Sequence, residues 1–238
     1  MIWWIIATLC AFFVKGLCGF ANTLVFTSIL SFANDNRNIS PVELLMGYVT
    51  NIIMAVKERK NIDWKLVLPL TVLVLAGCIP GILFLKNADT GVVKIVFGFV
   101  IIVIGLEMLY REFKPSKMKE SKIVLLIIGI LSGILCGLYG VGALLGAYLG
   151  RVTKDISSFK ANMCAIFCIE NTVRIVLYTA WGIIDLHAFK SALTLAPLML
   201  IGLFLGMFTG KFLDEKVIKK VVIIMLIISG IALIINSL

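Results

Sequence analysis

Charge is scarce in this chain of 238 residues: 15% are Asp, Glu, Lys or Arg, against about 25% in a soluble domain, while 61% are hydrophobic. Apolar stretches of about 20 residues or more recur from end to end, each long enough to cross a hydrocarbon core, so no soluble domain is left over. Histidine is almost missing. The one copy, His187, follows Asp185 in a short polar loop and reads as a solvated residue. No cluster of His, Asp and Cys offers a metal site or a nucleophile with its base, so no metal, no cofactor and no catalytic residue is expected. A GxxxxGK loop is also missing, which argues against ATP hydrolysis. The six cysteines (Cys10, Cys18, Cys78, Cys136, Cys164 and Cys168) lie inside apolar segments without paired spacing, so a disulfide framework is unsupported. They read as small residues that let helices approach, or as thiols that touch a ligand. No basic residues precede the first apolar segment, which starts at Ile2, and no cleavage site follows, so a cleaved signal peptide is not expected.

What is present is a series of eight apolar segments, at about 2–32, 41–56, 66–85, 92–110, 123–150, 156–181, 188–210 and 217–235. The first and fifth are over-long: about 30 residues at 1.5 Å each give roughly 45 Å of straight helix, against a core of about 30 Å. A glycine cluster interrupts each at its middle. The first carries Lys15, Gly16, Leu17, Cys18, Gly19 and Phe20; the fifth carries Cys136, Gly137, Leu138, Tyr139, Gly140, Val141 and Gly142. Glycine is costly in a helix interior and permits chain reversal, so both segments read as helical hairpins that enter the membrane and return. Backbone broken at mid-depth needs a protein-lined cavity.

The two halves of the chain also match in order. Gly16 and Gly19 align with Gly137 and Gly140, Asn51 with Asn171, Ile62 and Asp63 with Ile184 and Asp185. Further on, Gly77 and Gly81 align with Gly202 and Gly206, and Gly105 with Gly230. This predicts a duplication: a first membrane repeat over residues 1–112, a cytoplasmic linker over 113–121, and a second repeat over 122–238. The paired glycines at 77/81 and 202/206 suit close helix contact.

The net charge of +9 raises nucleic acid as a partner, but the basic residues sit in short loops between apolar spans, where they set orientation instead. If both broken segments are hairpins, 16 of the 22 Lys and Arg residues fall on one side and only Arg37, Lys86, Lys94 and Lys190 on the other, with Lys15 and Arg174 inside the membrane. If all eight segments cross, each side receives ten. The positive-inside rule favours hairpins. Each half is then a hairpin plus three crossings, so the second repeat is inverted and both termini face outward. The expected fold is an all-α integral membrane protein of two inverted repeats, an architecture of secondary transporters.

The residues resemble the TauE/SafE family of sulfite and organosulfonate exporters, also called the toluene sulfonate uptake permease family. The likeness covers nearly the whole chain. It rests on the glycine-rich segments Gly16 to Leu24 and Gly137 to Gly146, each followed by a span containing Asn and by a loop, Asn61-Ile62-Asp63-Trp64-Lys65 or Gly182-Ile183-Ile184-Asp185. The chain departs from the family pattern at Ala21 and Ala143, where glycine is usual. The resemblance implies export of a small sulfur-containing anion across the cytoplasmic (inner) membrane, not an enzymatic activity. Its expected partners are a small anionic substrate and the lipid bilayer, with no nucleic acid; a homo-oligomer is compatible with it.

A chemistry for such cargo can be read from the residues. A returning half-helix begins at the hairpin tip, so its free N–H groups and positive dipole end point into the protein, favouring an anion near Phe20 to Asn22 and near Val141 to Ala143. Gly16, Gly19, Gly137, Gly140 and Gly142 would let backbone approach the ligand, or simply allow a bend. Lys15, whose burial costs at least roughly 2.5–3.5 kcal/mol unless compensated, either attracts the anion or caps the last carbonyls of the entering half-helix. Asn22 reads as a ligand contact or as the cap of the returning helix. Asn51 and Asn171 form the duplicated amide pair that could meet an oxyanion. Glu170 and Arg174 stand one turn apart; they neutralise one another, or Arg174 offers its fork to the anion while Glu170 carries a coupling proton. Glu43 and Glu107, near segment ends, are given no chemistry, and Trp3, Trp4, Trp64, Tyr110 and Trp181 read as interface anchors. An anion channel and, less supported, a membrane-embedded enzyme are the competing functions.

Overall fold

A computed structural model describes residues 2–31, 36–87, nine positions between 95 and 110, and 122–235. Its helices are α1 (Ile2–Cys18), α2 (Asn22–Ser31), α3 (Asn36–Lys57), α4 (Trp64–Asn87), α5 (Lys122–Tyr139), α6 (Ala143–Val152), α7 (Ile156–Ala180), α8 (Leu186–Thr209) and α9 (Glu215–Ile235). A single 3₁₀ turn, Arg59–Asn61, joins α3 to α4. The described positions between 95 and 110 are helical, and no strand occurs among the described residues. The expected linker at 113–121 and Glu107 lie outside the described residues.

Polarity is inverted relative to a soluble protein. Leu68, Val72, Leu193, Ile201 and Phe204 are exposed on the outer faces of α4 and α8, whereas Lys15, Glu43, Glu170 and Arg174 are buried. Among the described residues, four spans are long and apolar enough to cross a membrane: Ile39–Lys57, Trp64–Leu83, Ile156–Ala180 and Leu186–Thr209. The protein is an all-helical, multi-pass membrane protein.

Both over-long segments are interrupted where the glycines cluster, between α1 and α2 and between α5 and α6. The first break reverses the chain. Trp4 and Phe26 would stand about 33 Å apart on a continuous helix, yet their rings meet edge to face at 5.8 Å. The turn is made by positive φ at Gly19 (87°) and Ala21 (71°), matched in the second break by Gly140 (71°). The ten-residue helices α2 and α6 that follow reach only about 15 Å, half a hydrocarbon core.

Packing joins the two halves of the chain to each other. α1 lies against α8, α4 against α5, and α3 against α7; positions 98 and 105 lie against α9. Exchanging the halves interchanges the α1–α8 and α4–α5 pairings and returns the other two to themselves. The aligned glycines sit at the tightest of them. A Cβ on Gly206 would strike the Phe13 carbonyl and come within 3.1 Å of the Gly16 Cα; one on Gly133 would strike the Val74 carbonyl and come within 2.9 Å of the Gly77 Cα. Absent side chains thus let backbones touch and their dispersion contacts accumulate, the usual basis of helix association in lipid. The Ile-Asp pairs that match in order between the halves also have a structural task. Asp185 accepts the Ala188 N–H at 2.7 Å and Asp63 accepts the Lys65 N–H at 3.0 Å, each at the start of a crossing helix.

Candidate functional site

The two interruptions converge on one cavity. Its walls are Lys15 from α1, Phe20 to Leu24 from the first tip and α2, Glu43 and Asn51 from α3, Gly140 to Gly142 from the second tip, and Phe167, Asn171 and Arg174 from α7. The volume is about 20 Å³, enough for a water molecule. Helix geometry sends the unpaired N–H groups of the first turns of α2 and α6 toward this space. Gly142 caps α6 with no side-chain hydrogen bond of its own, leaving that helix start open.

Of the residues expected to meet a ligand, Lys15, Phe20, Asn22, Asn51, Gly140, Gly142, Asn171 and Arg174 line the cavity. Three of the expected glycines stand back from it. Gly16 lies against Leu203 and Met207 of α8, Gly137 against Cys78 and Ile82 of α4, and Gly19 against the Lys160 side chain. Glu170 also stands back, behind Arg174.

The polar groups form two networks. In the first, Lys15, 1% exposed, donates from Nζ to Asn22 Oδ1 at 3.2 Å and to the Gly47 carbonyl at 3.3 Å. Asn22 in turn donates its amide to Glu43 Oε1, which also accepts the Thr23 hydroxyl at 2.9 Å. In the second, Arg174 Nη1 donates to the Cys136 carbonyl at 2.7 Å and lies 3.5 Å from Glu170 Oε1, while Cys78 Sγ donates to the same carboxylate oxygen at 3.4 Å. The Arg174 guanidinium also stands 5.8 Å from the centre of the Tyr178 ring. Three polar atoms here are buried without a hydrogen-bond partner: Asn51 Oδ1, Arg174 Nε and Glu170 Oε2.

Cations from α7 cap both entering half-helices. Arg174 takes a carbonyl of the last turn of α5, and Lys160 Nζ reaches the Gly16 carbonyl, near the end of α1, at 3.4 Å. Lys160 therefore takes the capping task considered for Lys15, whose ammonium turns into the cavity instead. Glu43 requires a correction. It is 2% exposed, not bathed by headgroup water, because α3 begins at Asn36 and places Glu43 two turns inside the helix. A carboxylate within reach of a hairpin tip is the signal that could have found it.

A second, larger cavity of about 330 Å³ lies toward one end of the bundle, lined by Lys57 at the end of α3, Glu58 after it, Lys160 near the start of α7, and Lys211 after α8. Three ammonium groups face one carboxylate there. Between this vestibule and the central cavity sits a buried apolar cluster of Met54, Cys164, Leu203 and Met207. Its place follows from the helices: Asn51, Met54 and Lys57 are successive turns of α3, and Lys160, Cys164 and Phe167 are successive turns of α7. All six cysteines are free, and no cluster suited to a metal ion occurs among the described residues.

Comparison with known proteins gives one result. The family model described as "Sulfite exporter TauE/SafE" matches residues 4–233. No curated protein and no solved structure gives a match.

Proposed function

Because this chain belongs to the sulfite exporter TauE/SafE family, we propose that it is a secondary transporter that exports sulfite or an organosulfonate by alternating access around the two hairpin tips. The observation that carries this is the cavity itself. Two helix starts and two cations, Lys15 and Arg174, meet in one buried space, an arrangement that stabilises negative charge through free N–H groups and partial positive dipole ends.

At about 20 Å³ the cavity is too small for an oxyanion of four or more heavy atoms. Binding and release therefore require the tips to separate, first toward one side and then toward the other. The basic vestibule gathers anions from water by long-range attraction, and the Met54, Cys164, Leu203 and Met207 cluster closes the path from it to the centre. Methionines suit such a closure because their unbranched side chains repack at low cost.

The reading includes an inverted repeat with both termini outside the inner membrane. It is supported by a set of pairings that exchange of the halves maps onto itself, by the excess of basic residues on one set of loops, and by the grouping of Lys57, Lys160 and Lys211 at one end of the bundle. The vestibule is then cytoplasmic, which suits export.

The test uses purified protein. Sulfite, thiosulfate and methanesulfonate are screened for thermal stabilisation, where a ligand at a hundred times its Kd adds about 2.7 kcal/mol. Reconstituted vesicles then distinguish the modes of passage. Saturable, counterflow-competent flux identifies a carrier, and flux that rises without saturation identifies a channel. No stabilisation by any of the three anions, together with no flux, removes the proposal.

A further inference from the structure

The protein keeps a carboxylate of its own where its cargo would sit. Glu43 Oε1 accepts from the side chains of Asn22 and Thr23, the first two residues of α2. This is the helix-start position that favours negative charge, and both donors line the central cavity together with Glu43. Those donors are the polar side chains the first tip offers to an incoming oxyanion. The Thr23 hydroxyl and one N–H of the Asn22 amide are already taken by this carboxylate, so a second negative group must displace it to have them.

From this juxtaposition we infer that Glu43 is a built-in competitor of the transported anion and the group that links transport to protons. The inference rests on the transport reading above. When an anion enters, the Glu43 carboxylate accepts one proton from the water on the open side, and its oxygen gives up the Asn22 amide and Thr23 hydroxyl. The anion accepts those two donors. When the anion leaves, the proton returns to water and the carboxylate resumes its place. Each turnover therefore carries one proton with one anion.

The surroundings of Glu43 single it out. From α1 it faces Lys15, held to it through Asn22; from α7 come Arg174 and, behind it, Glu170. α2 contributes no titratable side chain, and the buried residues of α8 are apolar or glycine. Glu170 shares none of the tip donors. Its partners are Arg174 and Cys78, and it does not line the cavity.

The test is the pH dependence of methanesulfonate binding to purified protein, an anion that keeps one charge between about pH 5 and pH 8. One linked proton makes wild-type affinity rise by up to about tenfold for each pH unit lowered across the range where the carboxyl titrates. Glu43→Gln binds with an affinity that does not change with pH, because no negative competitor remains. Wild-type binding that is flat with pH, or a Glu43→Gln protein that keeps the wild-type slope, overturns the inference while leaving the transport reading intact. Calorimetry of the wild type in buffers of different ionisation heat makes the test independent of how well the variant folds: uptake of about one proton per anion is expected, and no uptake overturns it. If none of sulfite, thiosulfate and methanesulfonate binds wild type at any pH, the transport reading falls and this inference falls with it.

Discussion

Removing the Arg174 guanidinium separates what that group does for the fold from what it does for the anion. Arg174 is 2% exposed and Glu170 is fully buried; the two lie 3.5 Å apart, and Arg174 also holds the Cys136 carbonyl at 2.7 Å. Arg174→Met leaves a buried carboxylate without its counter-ion and a helix-end carbonyl without its donor. Losing one partner of such a pair costs about 3–5 kcal/mol, a fall in Tm on the order of 10 °C for a chain of this size. Arg174→Met combined with Glu170→Leu removes both charges and restores most of that stability, because apolar replacement of a whole buried pair is close to neutral. Anion affinity behaves differently. A charge-assisted hydrogen bond contributes about 1.5–3 kcal/mol, so both the single and the double variant bind the anion about ten to a hundred times more weakly. Detergent-solubilised protein supplies both readouts, thermal unfolding without ligand and the shift produced by a sulfite titration. A double variant that regains wild-type affinity along with wild-type stability refutes the argument, leaving Arg174 as only the counter-ion of Glu170. A single variant as stable as wild type refutes the energetics of the buried pair.

Three further outcomes are expected. Ala21 adopts φ 71°, which costs an L-residue about 1–2 kcal/mol; after the entropy that glycine adds to the unfolded chain, Ala21→Gly gains about 0.5–1 kcal/mol, read as a raised Tm. Gly206→Ala drives a methyl into the Phe13 carbonyl of α1 and loses about 1–3 kcal/mol, whereas Gly150→Ala, whose nearest neighbour would be 4.0 Å away on Phe159, is neutral or stabilising by up to about 1 kcal/mol. In intact cells, a cysteine at Lys154 reacts with an impermeant thiol reagent only after permeabilisation and a cysteine at Asn36 reacts without it; the reverse pattern defeats the proposed orientation.

The interruptions of the first and fifth segments were legible because two independent signals agree there, a run too long for the bilayer and glycines at its centre. Asn51 and Asn171 were legible as a pair through the matching order of residues in the two halves, and both line the cavity. Glu43 was hidden by the polar start of its own helix. Asn36, Arg37, Asn38 and Ser40 make the opening of α3 polar, so an apolar run begins only near residue 41, although the helix has started five residues earlier. Gly16 and Gly137 were legible as special, but not for which reason: sequence shows that a side chain is missing, and only packing shows that α8 and α4 occupy the vacant space. Lys160 gives no sign of its role in the sequence because it lies near a span end, where a basic residue reads as one more charge of the cytoplasmic side, although its long stem lets the ammonium reach back to the Gly16 carbonyl.

The pairing of α1 with α8 and of α4 with α5 has a consequence for biogenesis. Translation delivers α1 first, but the surface that receives its glycine seam is not synthesised until the ribosome has passed Thr209. Until then the nascent N-terminal hairpin lacks the helix that packs along its glycine seam, although every residue lining the cavity around Lys15 has already been made. The last of the tight helix pairings along α1 is therefore made late, and a truncation ahead of α8 yields inserted helices with the α1 glycine seam uncovered.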